Sequence, residues 1–266
     1  PYASQIKLDN INFNGTLGKS KTVYSWDPKA LGSSGVGTFI TCSGDGGSPA
    51  TYTYTGNTSN YGSTPGVIES SGAFMVTATS GNIVFHETDK TITSSTICVA
   101  SRPSRGSHVY SSLGKISKLH IDLIGSRNGE ASLADGIAVT YNKNYSNTVD
   151  EMDAVKLLTF TLKERKSIQK EEGLYSIERR NAVNESDTIQ LYISRLNAMT
   201  YKLDFRPVDF DGEFTAYLED RFTNTSTPVI LTENSSLSFD ITNDSLSSAP
   251  NHFFITFQRN KHLPNN

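Results

Sequence analysis

The sequence predicts an all-β protein, an antiparallel and jelly-roll-like β-sandwich arranged as two packed β-modules. Short runs of β-branched, aromatic and apolar residues recur along the chain, separated by clusters of Gly, Ser, Asn and Pro. Where the runs are clearest, as at Leu191 and Ile193 and in Tyr201-Lys202-Leu203-Asp204-Phe205, apolar and polar residues alternate. That period of two turns one face of a strand inward. Helical spacing is almost absent. Only residues 150–158, where Met152, Val155 and Leu158 follow an acidic start, suggest a short helix or a surface turn.

In chain order, strands are expected at 6–13, 22–26, 37–42, 51–55, 73–77 and 82–86, with Gly/Ser loops such as Gly32-Ser33-Ser34-Gly35 between them. A second set is expected at 115–124, 136–142, 174–178, 188–194, 200–206, 215–221, 228–232, 236–241 and 252–258. The polar stretch Ser101-Arg102-Pro103-Ser104-Arg105-Gly106-Ser107 separates the two sets. This divides the chain into an N-terminal β-module, 1–106, and a C-terminal β-sandwich module, 107–266. No long linker divides them, so the two are expected to touch intimately.

The 266 residues allow a sizeable core, and 36% hydrophobic with 19% charged residues is a sparing use of both. The abundance of Ser, Thr, Asn, Tyr and Gly suits an extracellular β-protein. A net charge of -3 provides no field for nucleic acid or an anionic membrane. The one dense basic run, 163–170, contains Glu164 and leads into Glu171 and Glu172, so it reads as a solvated mixed-charge segment. No apolar stretch is long enough to span a bilayer. No signal peptide is expected within the sequence as given, and its two ends read as cuts within something longer.

The histidines are scattered without zinc spacing, and nucleophile-elbow, Walker and dinucleotide motifs are missing. Glu69, Glu87 and Glu219 lie on or beside expected strands, but only tertiary structure decides whether carboxylates pair for hydrolysis. The densest acidic cluster, Asp209-Phe210-Asp211-Gly212-Glu213 with Asp204, offers oxygen ligands for calcium through Asp209 and Asp211. The competing reading is a hairpin turn, with Asp and Gly present for turn geometry. Cys42 and Cys98 each sit in a β-type run. In an oxidising compartment a disulfide between them contributes about 3–4 kcal/mol on a loop-entropy basis, and two buried thiols are the alternative. Tyr24 with Trp26, and Tyr52 with Tyr54, are two residues apart, and Tyr61 follows in a loop. Such pairs share a strand face and form a candidate glycan-stacking platform. The alternative is that at least one pair points into the core.

The order of Pro1-Tyr2-Ala3-Ser4-Gln5-Ile6, Val23-Tyr24-Ser25-Trp26-Asp27-Pro28, Gly35-Val36-Gly37-Thr38-Phe39, Phe85-His86-Glu87-Thr88-Asp89-Lys90, Tyr217-Leu218-Glu219-Asp220-Arg221 and Phe253-Phe254-Ile255-Thr256-Phe257 spans the chain. It resembles the C-terminal regions of large secreted Bacteroidetes proteins carried by the type IX secretion system. The resemblance implies a secreted or cell-surface location ahead of a sorting domain, upstream modules of the same polypeptide as partners, and no chemistry of its own. It also marks Asp187-Thr188-Ile189 and Asp244-Ser245-Leu246 as O-glycosylation acceptors of the kind used in these bacteria. The expected function is therefore a non-catalytic module that adheres, spaces or presents. The alternative is a carbohydrate-binding module of a polysaccharide-degrading enzyme.

Overall fold

The structure is a computed structural model that describes residues 4–17, 19–28, 30, 35, 37–56, 66–68, 70, 72–78, 80–91, 114–157, 164–171 and 173–260. The protein is all-β. Its larger part is one sheet in the order β17-β16-β19-β14-β12-β13-β10-β9-β15-β18. These strands are β9 (Ser117–Arg127), β10 (Glu130–Tyr141), β12 (Arg165–Lys170), β13 (Gly173–Arg180), β14 (Thr188–Ser194), β15 (Thr200–Val208), β16 (Phe214–Asp220), β17 (Thr225–Ile230), β18 (Ser235–Asp240) and β19 (Phe253–Arg259). The short β11 (Ala154–Val155) pairs with β13 off this path. Described pairings in this sheet are antiparallel apart from β10 with β13.

Alternation explains how the sheet folds on itself. In β14, Ile189, Leu191 and Ile193 are buried while the residues between them are not. Leu119, Ile121 and Leu123 of β9 and Leu203 and Phe205 of β15 turn to the same core. The sheet curls on itself, bringing β18 against β19. Phe239 of β18 stacks on Tyr201 and meets Phe253 of β19 edge-on at 4.8 Å. Closing the layers in this way removes apolar area from water at about 25 cal/mol per Å².

The smaller part has, among the described residues, three sheets of its own. β1 (Gln5–Lys7) lies between β6 (Val67–Ile68) and β8 (Lys90–Thr91), and β2 (Asn12–Phe13) pairs with β7 (Ile83–Val84). β3 (Val23–Asp27), β4 (Thr38–Gly44) and β5 (Tyr52–Tyr54) form the third. Ile6, Leu8, Phe13, Val23, Ile40 and Cys42 are among the residues of their shared core.

Several expectations need correction. The expected strand 6–13 is two short strands around a turn, and 73–77 supplies only an isolated bridge from Met75 to Tyr24. Of the two readings of 150–158, the described part bears out the turn and not the helix: residues 150–153 form a turn leading into β11. The largest correction concerns 163–170. Far from being solvated, Glu164, Lys166 and Ser167 are buried, and β12 runs through the middle of the large sheet between β14 and β13. The boundary expected near residue 106 falls outside the described residues.

Candidate functional site

Beyond the apolar core, the chemically capable side chains gather on the outer face of β9, β10, β13 and β15. Leu119, Ile121 and Leu123 face the core, so His120 and Asp122 project from the opposite face of β9. An uncovered sheet would wash that face with solvent. Here the β3-β4-β5 sheet lies across it, and the polar residues become a buried seam. Lys118 Nζ donates to Tyr52 O at 3.0 Å, and Arg206 Nη2 donates to Gly56 O at 2.7 Å. Arg179 Nη2 donates to Gly44 O at 2.6 Å and to Ser43 O and Oγ at 3.2 Å, while its Nη1 donates to Met152 O. In the opposite direction, the Tyr24 hydroxyl donates to Val155 O at 2.7 Å. Gly136 makes the close approach possible. A Cβ there would lie 2.5 Å from Gly56 N and 2.7 Å from Asp122 Oδ1.

Behind the seam lies a knot of charge. A register shift between Leu133 and Asp135 in β10 accompanies a turn of the Asp135 carboxylate toward β12. Asp135 Oδ2 accepts from Lys166 N at 2.9 Å, and Oδ1 accepts from Lys156 Nζ at 2.6 Å. The carboxylate thus bridges β10 and β12 where their backbones do not pair. Asp122 Oδ2 accepts from Arg206 Nη2 at 2.7 Å. Burial dominates the protonation of Lys118, His120, Asp122 and Lys166. It pushes Lys118 down to about 8. It drives His120 down to about 3, helped by Lys118 and Arg206. Asp122 is pushed up to about 6 against the pull of Arg206. Lys166 is pushed down to about 7.

The aromatic candidates do not form one platform. Register places Val23, Cys42 and Tyr54 on one face of the small sheet, and Tyr24, Thr41, Trp26 and Phe39 on the other. Tyr52 and Tyr54 are 3% and 5% exposed and belong to the N-terminal core, and Tyr24 is 1% exposed beneath the seam. Of the described candidates, Trp26 alone meets solvent, at 41% exposure, edge-on to Phe39 at 5.0 Å. Stacking on a sugar is corrected for Tyr24, Tyr52 and Tyr54, because packing covers their ring faces. Tyr61, Cys98 and Glu69 lie outside the described residues. Cys42 is buried in the N-terminal core.

Asp209 and Asp211 lie in a turn, but the expected hairpin is corrected. β15 pairs with β9 and β18, whereas β16 pairs with β17 and β19, so the segment crosses from one part of the sheet to another. Asp209 and Gly212 have positive φ, 60° and 80°, and Asp211 Oδ1 accepts from Glu213 N at 3.0 Å. Turn geometry thus accounts for the Asp and Gly residues. Among the described residues no three His, Cys, Asp or Glu side chains gather to hold a metal ion. The turn borders an open cleft of about 900 Å³ at one end of the sandwich, where Asn142, Phe210, Asp211, Phe214 and Arg259 meet.

Sequence reasoning missed the seam and the cleft. The signal available for the seam was the polar set Lys118, His120, Asp122 alternating with an apolar one, which reads equally as a solvent face. No protein-family model matches the chain, and comparisons with curated proteins and with solved structures returned no match. Among the described residues no helix is long and apolar enough to cross a membrane.

Proposed function

We propose that this is a non-catalytic module of a secreted, surface-held polypeptide, acting as a stiff spacer that presents or adheres through neighbouring segments. The observation that carries this reading is the seam. Lys118, Arg179 and Arg206 reach from the large sheet to main-chain oxygens of the small one and fasten the two parts together. The side chains there that are suited to acid–base work, His120, Asp122 and Lys166, are buried. A stiff unit transmits force and fixes distance, whereas two loosely tethered modules do neither. Calorimetry of the chain tests this. One cooperative transition is expected, and two independent transitions would remove the basis for a rigid spacer.

A second reading, glycan binding, draws support from the cleft bordered by Phe210 and Phe214, which offers apolar surface beside amide and charged groups. Affinity electrophoresis against a panel of polysaccharides tests it, with retardation expected to be lost in Phe210→Ala. Retardation that survives this change would place binding elsewhere.

A further inference from the structure

The open cleft at one end of the sandwich carries charge that the rest of the described surface neutralises. Lys7, Lys19, Lys90 and Lys202 each pair with a carboxylate, and Lys21 is held by three main-chain oxygens. Lys115 and Lys143 are exposed, line the cleft and have no such partner among the described residues. They stand on neighbouring strand ends. Lys115 precedes β9 and Lys143 follows β10, Ser117 pairs with Tyr141 just inside them, and Asn142 Nδ2 donates to Lys115 O at 3.0 Å. Like charges gathered in this way repel, and an anion between them relieves the repulsion. The remaining cation of the cleft is already engaged, since Arg259 lies over the Phe214 ring at 4.8 Å and pairs with Glu213 at 3.0 Å. Asp211 is the other acid of the lining. The cations Lys115, Lys143 and Arg259 therefore outnumber the acids Asp211 and Glu213, in a chain whose net charge is -3.

We propose that the cleft takes an anionic polysaccharide, one whose sugar rings carry carboxylate or sulfate groups, with Lys115 and Lys143 holding the charge and Phe210 supplying apolar contact. This rests on the glycan-binding reading of the same cleft and adds the class of sugar. Phe210 packs edge-on to Tyr141 at 5.9 Å, so its ring is braced from the core side. A volume of about 900 Å³ suits a short run of sugar rings. Ammonium groups on flexible stems follow an anion whose position varies along a polymer, without the fixed geometry that a guanidinium fork demands.

The test is affinity electrophoresis against polymers matched in backbone and differing in charge: polygalacturonate with its methyl ester, and dextran sulfate with dextran. Polyglutamate serves as a polyanion without sugar rings. A charged sugar polymer is expected to retard the chain where its uncharged counterpart and polyglutamate do not, and the two pairs distinguish carboxylate from sulfate. Lys115→Gln combined with Lys143→Gln is expected to weaken the retardation roughly tenfold, as the loss of two exposed ion pairs implies. Arginine at both positions is expected to retain it. Both side chains are exposed, so the Tm of the glutamine variant is expected to be no lower than that of wild type. Equal retardation by charged and uncharged sugars, lost in Phe210→Ala, overturns the proposal and leaves the glycan reading standing. Retardation unchanged in the glutamine variant, or matched by polyglutamate, also overturns it. No retardation by any polymer removes the glycan reading as well.

Discussion

Replacing Arg179 with methionine tests the seam most directly, because it keeps most of the volume and removes the guanidinium. Four hydrogen bonds disappear, three from Nη2 to Ser43 and Gly44 and one from Nη1 to Met152 O, while the bond from Arg179 N to Asp153 Oδ1 at 2.7 Å remains. Hydrogen bonds to charged groups contribute roughly 1.5–3 kcal/mol each when measured singly. The sum overstates the loss, since removing a buried cation also removes its desolvation cost, visible as the lowered Arg179 pKa. Deleting one partner of a buried charged set costs about 3–5 kcal/mol, and that range is the expectation here. At about 2–4 °C per kcal/mol for chains of this general size, Tm falls by roughly 10 °C. Differential scanning calorimetry reads the shift. Arg179→Lys is expected to recover only part of it, because an ammonium cannot fork between Ser43 and Gly44. A fall below about 2 °C would refute the reasoning, since it would mean that water readily replaces these seam bonds.

Further outcomes follow from the same contacts. His120 stays neutral in the folded protein down to about pH 3 and protonates near 6.5 when unfolded. Its contribution to stability is therefore present above pH 6.5 and falls, by about 1.4 kcal/mol per pH unit, as the pH drops toward 3. The difference in urea midpoint between wild type and His120→Asn, followed across that window, isolates the effect from the opposing one of Asp122. A pH-independent difference would contradict it. Gly136→Ala forces a Cβ into Gly56 and Asp122 and is expected to destabilise by about 1–3 kcal/mol, the usual range for overpacking, measured by chemical denaturation. Tyr201→Phe removes the hydroxyl that accepts from Asn197 N at 2.9 Å and donates to Glu164 Oε1 at 3.2 Å, and should cost about 1–2 kcal/mol in the same assay. Trp26, the single tryptophan, is expected to be quenched readily by acrylamide in the native state, and a protected fluorophore would contradict its exposed position.

The strands were largely legible because a half-buried strand writes its period into the sequence. Residues 188–194 were expected as a strand and form β14, and Tyr201 to Phe205 alternate as expected within β15. Reading failed where burial is set by something distant. Lys166 in Arg165-Lys166-Ser167-Ile168 looks solvated until β14, β13 and Asp135 close around it. Tyr52 and Tyr54 fit a washed face or a core face equally well, and only their pairing with Gly44 and Cys42 assigns them inward. Alternation separates two faces, but it does not say what lies against the outer one. The seam was illegible for that reason: its cations and its acceptor carbonyls are far apart in sequence and belong to different sheets.

The large sheet leaves two margins, β17 and β18, with no further strand paired to either among the described residues. Open margins are templates on which a second chain can add a strand. β17 carries Pro228, which has no N–H to offer, and β18 places Ser236, Ser238 and Asp240 at its exposed positions. Copies crowded shoulder to shoulder would meet a broken ladder on one flank and a hydrated, negatively tipped one on the other. The chemistry at these rims disfavours strand addition, and does so without closing the sheet.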